Sequence, residues 1–321
     1  MALPQTVKVP PLLWDVLRIL WDVIAPIFAL IALGYVVQKR VGLDLKTLTR
    51  LNFWMFVPAF LWVHIFESKL NWIELRSIFL HFAIFFPLLG ALTWFSARLI
   101  HPPDRLRRAI TASVLFYNSG NYGIPVAQLA FPGQALPLQI QAAIVMLQNI
   151  SNFSLGLLLI TGGRGGRRRD TLKAMFKLPM IYVLIVAWLM RSFHLAPPQP
   201  INTAVHWLNE GLVPIAVTTL GAQMAGLKVP RFNRALALSL SLRLIGAPIL
   251  GFAVVWGLGL HGTLAQSLTL STAFPTAVNS ALLALEFDNE PEFAAAAVFY
   301  STLFSVVSVS FVIWATRVAQ L

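Results

Sequence analysis

Residues 109–131 read AITASVLFYNSGNYGIPVAQLAF, a stretch with the length and apolar character of a membrane-spanning helix whose middle is interrupted. Polar or helix-breaking residues crowd together within it, at Asn118, Ser119, Gly120, Asn121, Gly123 and Pro125. Proline removes a backbone donor and glycine leaves the backbone free to unwind, so we predict a broken helix over 118–125. Irregular backbone at membrane depth is tolerated only where protein buries it or where it lines a cavity. The break therefore predicts a binding site.

A second interrupted segment covers residues 264–287 in the other half of the chain. Its polar and helix-breaking residues are Ser271, Thr272, Pro275, Thr276, Asn279 and Ser280. Paired interrupted segments in two halves indicate the binding site of a transporter near the middle of the membrane. The alternative is that these residues only kink the two helices and satisfy one another across a packed interface.

The composition is that of a polytopic membrane protein. The chain of 321 residues is 58% hydrophobic and 11% charged, with a mean hydropathy of +0.75, whereas soluble domains carry roughly 25% charged residues. It has no cysteine, which excludes disulfides and thiolate metal sites. No zinc-protease, nucleophile-elbow or Walker motif is present, so we expect neither an enzyme nor a metal site.

Ten apolar stretches are long enough to be candidate spans. They run approximately over 21–38, 50–67, 76–97, 108–131, 139–161, 178–193, 206–226, 235–258, 264–286 and 293–316, after an amphipathic lead-in at 1–20. The loops after the odd-numbered spans hold most of the 24 Lys and Arg residues. The positive-inside rule places those loops in the cytoplasm, so both termini are predicted outside it, in a multi-pass cell-membrane protein. Orientation thus accounts for the net charge of +12 without a nucleic-acid partner.

The basic stretch 162–177, GGRGGRRRDTLKAMFK, divides the chain into two groups of five spans, 1–161 and 178–321. An odd number of spans in each half requires the two halves to have opposite orientations. Faint internal repeats support this division, for example LNFWMFVP at 51–58 and LNEGLVP at 208–214. We therefore predict an all-α fold of ten transmembrane helices, arranged as an inverted five-plus-five repeat in which interrupted spans four and nine cross.

This crossing would bring half-helix ends and polar side chains together inside the membrane. Half-helix N-termini present unpaired N–H groups and a partial positive charge, which suit a carboxylate. Amide and carbonyl oxygens there could instead bind sodium. We predict that the substrate contacts Asn118, Asn121, Gln148, Asn149 and Asn279, and that the crossover is formed by Gly123, Pro125, Pro275 and Thr276. For the amides of span five, Gln148 and Asn149, polar contact between helices is the alternative role.

Three of the ionisable residues within or at the ends of spans are candidates for a functional role. Arg243 is inside span eight and either snorkels to the cytoplasmic face, the interpretation we prefer, or supplies counter-charge for an anion. His64 and Glu67 lie three residues apart near the outer end of span two. We expect them to form an interfacial pair, with a proton-coupling pair as the alternative.

Three motifs resemble a known family. LFYNSGNYGIPVAQLAF resembles span four of the auxin efflux carrier family, the bacterial relatives of the plant PIN auxin exporters. AFPTAVNSALLALEF followed by AAAAVFYSTLFSVVSVSF is similar to that family's ninth and tenth spans, and LNFWMFVPAFLW is similar to its second. The resemblance extends over about residues 22–318.

The resemblance implies a ten-span fold shared with the bile acid:sodium symporters, in which spans one, two, six and seven form a scaffold and the others move like an elevator. It implies crossover roles for Pro125 and Pro275, and a contact between Asn118 and the substrate carboxylate. Related carriers commonly dimerise through the scaffold. Substrates in the family include auxin-like acids and dicarboxylates such as malate or malonate. No cofactor is expected; coupling to sodium or protons stays open, and a sodium-coupled symporter of a larger, bile-acid-like anion is the alternative.

Overall fold

The computed structural model describes residues 11–162, 179–227 and 232–319, and these residues form helices with no β-strand. The helices of the first half are α1 Pro11–Ile19, α2 Ala25–Val41, α3 Leu45–Leu51, α4 Val57–Phe66, α5 Trp72–Arg98, α6 Asp104–Leu115, α7 Gly123–Ala130, α8 Ala135–Ser151 and α9 Leu157–Thr161. Those of the second half are α10 Pro179–Ser192, α11 Gln199–Gly226, α12 Arg234–Ser241, α13 Ala247–Gly257, α14 Gly262–Ser271, α15 Val278–Glu286 and α16 Pro291–Val318. Apart from Gly162, the predicted linker 162–177 lies outside the described residues.

Within the described part of the chain, four π-helical turns join neighbouring helices into longer rods. They lie between α1 and α2, α3 and α4, α8 and α9, and α12 and α13, at Leu20–Ile24, Asn52–Phe56, Asn152–Gly156 and Leu242–Gly246. Such turns occur frequently at functional sites, because the wider turn redirects a side chain. Three of them contain a buried polar residue, namely Asn52, Asn152 and Arg243.

Several rods have the dimensions of membrane spans. Within the described ranges, five are long and apolar enough to cross a membrane, and α10 is a shorter apolar helix. The five cover Trp14–Val41, Trp72–Arg98, Ala135–Thr161, Arg234–Gly257 and Pro291–Val318. These rods confirm the all-helical, polytopic class, while the count of ten spans and their inverted repeat stay predictions.

Several helices begin earlier than predicted, and the first rod and α5 are two examples. The first span was expected to begin at residue 21, but helical backbone begins at Pro11. Part of the predicted lead-in is therefore α1, the N-terminal part of the first rod. Helix α5 begins at Trp72 rather than 76 because Asn71 and Glu74 form a capping box. Each side chain accepts from the other residue's backbone N–H at 2.9 Å, which satisfies donors that a helix start leaves free.

Helices α2 and α11 pack unusually closely through two glycines. A Cβ added to Gly34 would lie 2.0 Å from the carbonyl oxygen of Thr218, and one added to Gly221 would lie 2.0 Å from that of Ile31. Small residues let helix backbones approach in this way. The contact fixes α11 beside the first rod and so positions the polar residues that follow in α11.

The predicted pair of His64 and Glu67 is wrong. Glu67 Oε1 instead lies 3.0 Å from Nε2 of His206, on α11, while the His64 ring packs on Phe60 with centroids 4.4 Å apart. Two side chains three residues apart lie near each other on a helix. Glu67, however, is the C-cap of α4, directly after its last residue. Its side chain therefore turns towards the neighbouring helix.

Candidate functional site

Both interrupted segments are broken helices. Helix α6 ends at Leu115 and α7 begins at Gly123, whereas α14 ends at Ser271 and α15 begins at Val278. Residues 116–122 and 272–277 between them have no regular helix. Pro125 lies in the first turn of α7, where its missing N–H has no cost.

The two breaks pair with each other through their backbones. Asn118 N donates to Pro275 O at 2.8 Å, and Ala277 N donates to Phe116 O at 2.8 Å, which closes an antiparallel bridge between Tyr117 and Thr276. Backbone groups in the breaks lack helical hydrogen bonds, and these contacts give them partners inside the protein. Such partners are required for irregular backbone in the membrane interior.

Side chains hold this pairing in place. The Thr276 hydroxyl donates to Ser113 O at 2.8 Å, and Thr276 N donates to Ser301 Oγ at 3.0 Å. Gly123 has no room for a side chain, because a Cβ there would lie 2.6 Å from the Phe274 ring and 2.7 Å from Gln141 Nε2. The structure thus brings the predicted residues Gly123, Pro275 and Thr276 to the junction of the breaks.

Arg243 does not snorkel, so the interpretation we preferred from the sequence is wrong. Its side chain is fully buried and donates to Val114 O at 2.6 Å and to Thr272 O. The guanidinium carbon lies 4.8 Å from the centroid of the Tyr117 ring, a cation–π contact. None of the ion pairs among the described residues involves Arg243.

The partners of Arg243 explain why it stays inside. Val114 lies in the last turn of α6, and Thr272 is the C-cap of α14. Helix C-termini leave carbonyls unpaired and carry about half a negative charge, which a cation offsets. One guanidinium therefore caps both broken helices at the point where they stop.

A polar cavity of about 60 Å³ adjoins the paired breaks. Its wall includes the five residues predicted to contact substrate: Asn118, Asn121, Gln148, Asn149 and Asn279. Asn121 comes just before α7, and Asn279 is in the first turn of α15. The N-terminal ends of both half-helices thus border the cavity. The structure places these residues together, and their contact with substrate stays a prediction.

Four polar residues of the cavity wall were missed from the sequence. They lie in the second and seventh predicted spans or directly before the second, at Thr49, Asn52, Thr219 and Gln223. Each pair is three or four residues apart and therefore shares a helix face. Polar residues at that spacing on one face of a largely apolar span were the signal that could have identified them.

One hydrogen bond connects these residues to the first broken helix, and another joins two of them to each other. Asn52 Nδ2 donates to Asn121 Oδ1 at 2.8 Å, and Gln223 Nε2 donates to Thr49 Oγ1 at 3.0 Å. Other polar atoms of the wall are buried without partners, among them Asn118 Nδ2 and Asn52 Oδ1. Each such atom costs about 1–3 kcal/mol of stability. Because several of these unpaired atoms line one cavity, a polar ligand could form the missing hydrogen bonds there.

Comparison with known proteins agrees with this geometry. A family model described as membrane transport protein matches residues 20–313. The chain is also similar to an uncharacterised transporter from Methanothermobacter thermautotrophicus, at 26% identity over 291 residues that cover 88% of this chain and 93% of the relative. The match extends from the first described rod to the last, and includes both broken helices. The chain therefore belongs to the membrane transport protein family, that of the auxin efflux carrier-like transporters its motifs resemble.

Proposed function

We propose that the protein is a secondary transporter that moves a small organic anion by alternating access around the cavity beside the paired breaks. The cargo is an auxin-like monocarboxylate or a dicarboxylate such as malate or malonate. The substrate carboxylate contacts Asn118 and the N-terminal ends of α7 and α15, while Gln148 and Asn149 contribute from α8. Membership of a transport family and the position of these residues on one cavity wall support the proposal.

The distribution of charge around the four half-helix ends is the observation that carries this proposal. Each end has about half an elementary charge, positive at the N-terminus and negative at the C-terminus. The buried guanidinium of Arg243 offsets the two negative ends, because it donates to the last carbonyls of α6 and α14. The positive ends of α7 and α15 border the cavity. The site therefore has a net charge of about +1, which favours an anion.

For the architecture, we propose the inverted repeat of 1–161 and 178–321 joined by the linker 162–177, with both termini outside the cytoplasm. Spans one, two, six and seven form a scaffold that pairs two copies of the chain, and the remaining spans move as one unit. The hydrogen bond from Asn52 to Asn121 joins span two to span four. A polar contact of this kind can be exchanged as the moving unit slides, which supports an elevator-type motion.

Two versions of this function differ in whether transport of the anion is coupled to an ion. Each expelled negative charge gains about 2.3 kcal/mol per 100 mV of inside-negative potential, so export needs no coupled ion. The alternative is a sodium-coupled symporter of a larger, bile-acid-like anion. The unpaired oxygens Asn52 Oδ1 and Asn152 Oδ1 favour it, since hard cations prefer oxygen ligands. The small volume of the cavity favours export of a small anion without a coupled ion.

Transport by the purified protein in liposomes tests the proposal. Labelled malonate, malate and indole-3-acetate are offered in sodium or choline buffer, with protein-free liposomes as the blank. We expect protein-dependent flux of at least one acid in choline, and its loss in Asn118→Ala at equal expression. Flux that requires sodium assigns the alternative, and flux of no acid contradicts the proposal.

A further inference from the structure

Several polar atoms of the cavity wall have no hydrogen-bond partner, and most of them are acceptors. The side-chain oxygens Asn52 Oδ1, Asn152 Oδ1 and Gln223 Oε1 are buried and unpaired. Two other unpaired groups can donate, the Asn118 amide nitrogen Nδ2 and the Thr219 hydroxyl, which can also accept. All five residues are more than nine-tenths buried and all line the cavity. The amide donor belongs to the first break, whereas the other four groups belong to α11 and to π-helical turns of the second and fifth predicted spans.

The hydrogen-bond network determines that Gln223 leaves its oxygen free. The Thr49 hydroxyl donates its only hydrogen to Leu45 O at 2.7 Å. Thr49 Oγ1 can therefore only accept from Gln223, which must present its amide nitrogen, and it does so at 3.0 Å. The Gln223 carbonyl oxygen is the group left without a partner.

Three other amides of the wall also use their nitrogens on protein acceptors. Asn52 donates to Asn121 Oδ1 at 2.8 Å, Asn149 donates to Val145 O at 2.9 Å, and Gln148 donates to Leu115 O at 3.4 Å. The lining residues outside the breaks thus present mainly unpaired oxygens, and among the described ones the Thr219 hydroxyl is the one buried unpaired group that can donate. Among its described residues, the cavity has no Asp, Glu, Lys, Arg or His in its lining.

The lining residues therefore form two chemically different groups. The paired breaks supply the unpaired donor Asn118 Nδ2 and the positive ends of two half-helices, which suit one carboxylate. A second carboxylate would meet carbonyl oxygens with no cation to offset its charge, and an unpaired buried charge is strongly unfavourable. A hydroxyl, amide or ammonium group would instead donate to those oxygens.

We infer that the substrate is a small acid with a single carboxylate whose other end carries hydrogen-bond donors. This inference rests on the proposed function and selects, within it, polar monocarboxylates over dicarboxylates and over acids with an apolar remainder. Sites built to hydrogen-bond a substrate group reject analogues that lack it, because the site's own polar groups are then left unpaired.

A matched set of three-carbon acids tests the inference. Propionate, 3-hydroxypropionate, malonamate, β-alanine and malonate are titrated against the purified protein in choline buffer, and affinity is measured by thermal stabilisation. We expect at least one of the three donor-bearing acids to bind about tenfold tighter than propionate, with malonate no tighter than propionate. Comparing 3-hydroxypropionate, malonamate and β-alanine then identifies the donor as hydroxyl, amide or ammonium.

The variant Gln223→Leu removes one acceptor, and Gln199→Leu, at the exposed start of the same helix, is its control. We expect Gln223→Leu to lose the preference for donor-bearing acids while its affinity for propionate is unchanged. The wild-type series decides the inference even where this variant fails to fold.

The contrary results are distinct. Malonate as the tightest ligand, or propionate equal to all donor-bearing acids, overturns this inference and leaves the proposed function standing. Binding of none of these acids overturns the inference, and the liposome flux assay then decides the proposed function separately. Stabilisation by sodium chloride without acid, lost in Gln223→Leu, would assign the oxygens to a cation and also overturn the inference.

Discussion

Arg243 shows how one side chain can determine the chemistry of the site. Its guanidinium reaches carbonyls of α6 and α14, residues far apart in sequence, and packs on the ring of Tyr117. Because Tyr117 also lines the cavity, the positive charge lies directly behind the wall that the substrate would contact. The residue therefore has two separable roles, capping the broken helices and supplying charge.

Substitutions of Arg243 separate these two roles. Arg243→Gln removes the charge and leaves at least one buried carbonyl unpaired, so we expect a loss of about 1–3 kcal/mol in the free energy of unfolding and at least tenfold weaker acid binding. Arg243→Lys keeps the charge, so it should bind acid within a few-fold of wild type despite lower stability. Thermal unfolding and ligand titration measure the two effects. Wild-type affinity in Arg243→Gln would show that the charge has no role in binding.

At the scale of elements, the contact between α2 and α11 positions one wall of the cavity. Thr219 and Gln223 lie on either side of Gly221, whose Cα faces the backbone of α2 at Ile31. Any increase in the distance between the helices moves both polar side chains relative to the breaks. The glycine is therefore required by packing rather than by backbone conformation.

Gly221→Ala tests this contact. The added Cβ would lie 2.0 Å from a backbone oxygen, which cannot move as a flexible side chain could, so the helices must separate. Overpacking of this kind typically costs about 1–3 kcal/mol, and we expect a correspondingly lower unfolding temperature. Gly257→Ala, at the end of α13 with no atom within 4 Å of the added Cβ, is the control. Equal stability of the two variants would refute the close contact.

At the scale of the whole molecule, the sequence predicted the broken helices better than their surroundings. The breaks at 116–122 and 272–277 depend on nearby residues such as Pro125 and Pro275, so local chemistry is sufficient to locate them. The role of Arg243 depends on Val114 and Thr272, which only the folded chain brings close. For the same reason, Asn52 and Gln223 could not be assigned to the cavity before the packing of their helices was known.

The direction of the membrane potential should determine the direction of net transport. With no coupled ion, a monovalent anion is driven outward by about 2.3 kcal/mol per 100 mV, equivalent to a concentration ratio of about fifty-fold. Proteoliposomes with a potassium diffusion potential measure this ratio for a transported acid, and reversing the potential serves as the control. Accumulation that ignores the potential would indicate an electroneutral exchange or a coupled cation.

The central claim is that both breaks bind one carboxylate together. Equilibrium binding of a labelled transported acid to purified protein tests it most directly. Asn118→Ala changes the first break and Asn279→Ala the second. Asn202→Ala, in the first turns of α11, is the control. We predict saturable binding by wild type and Asn202→Ala, and at least about tenfold weaker binding, a loss of about 1.4 kcal/mol, in each of the other two. Wild-type affinity in either break variant, at unchanged stability, would contradict the claim.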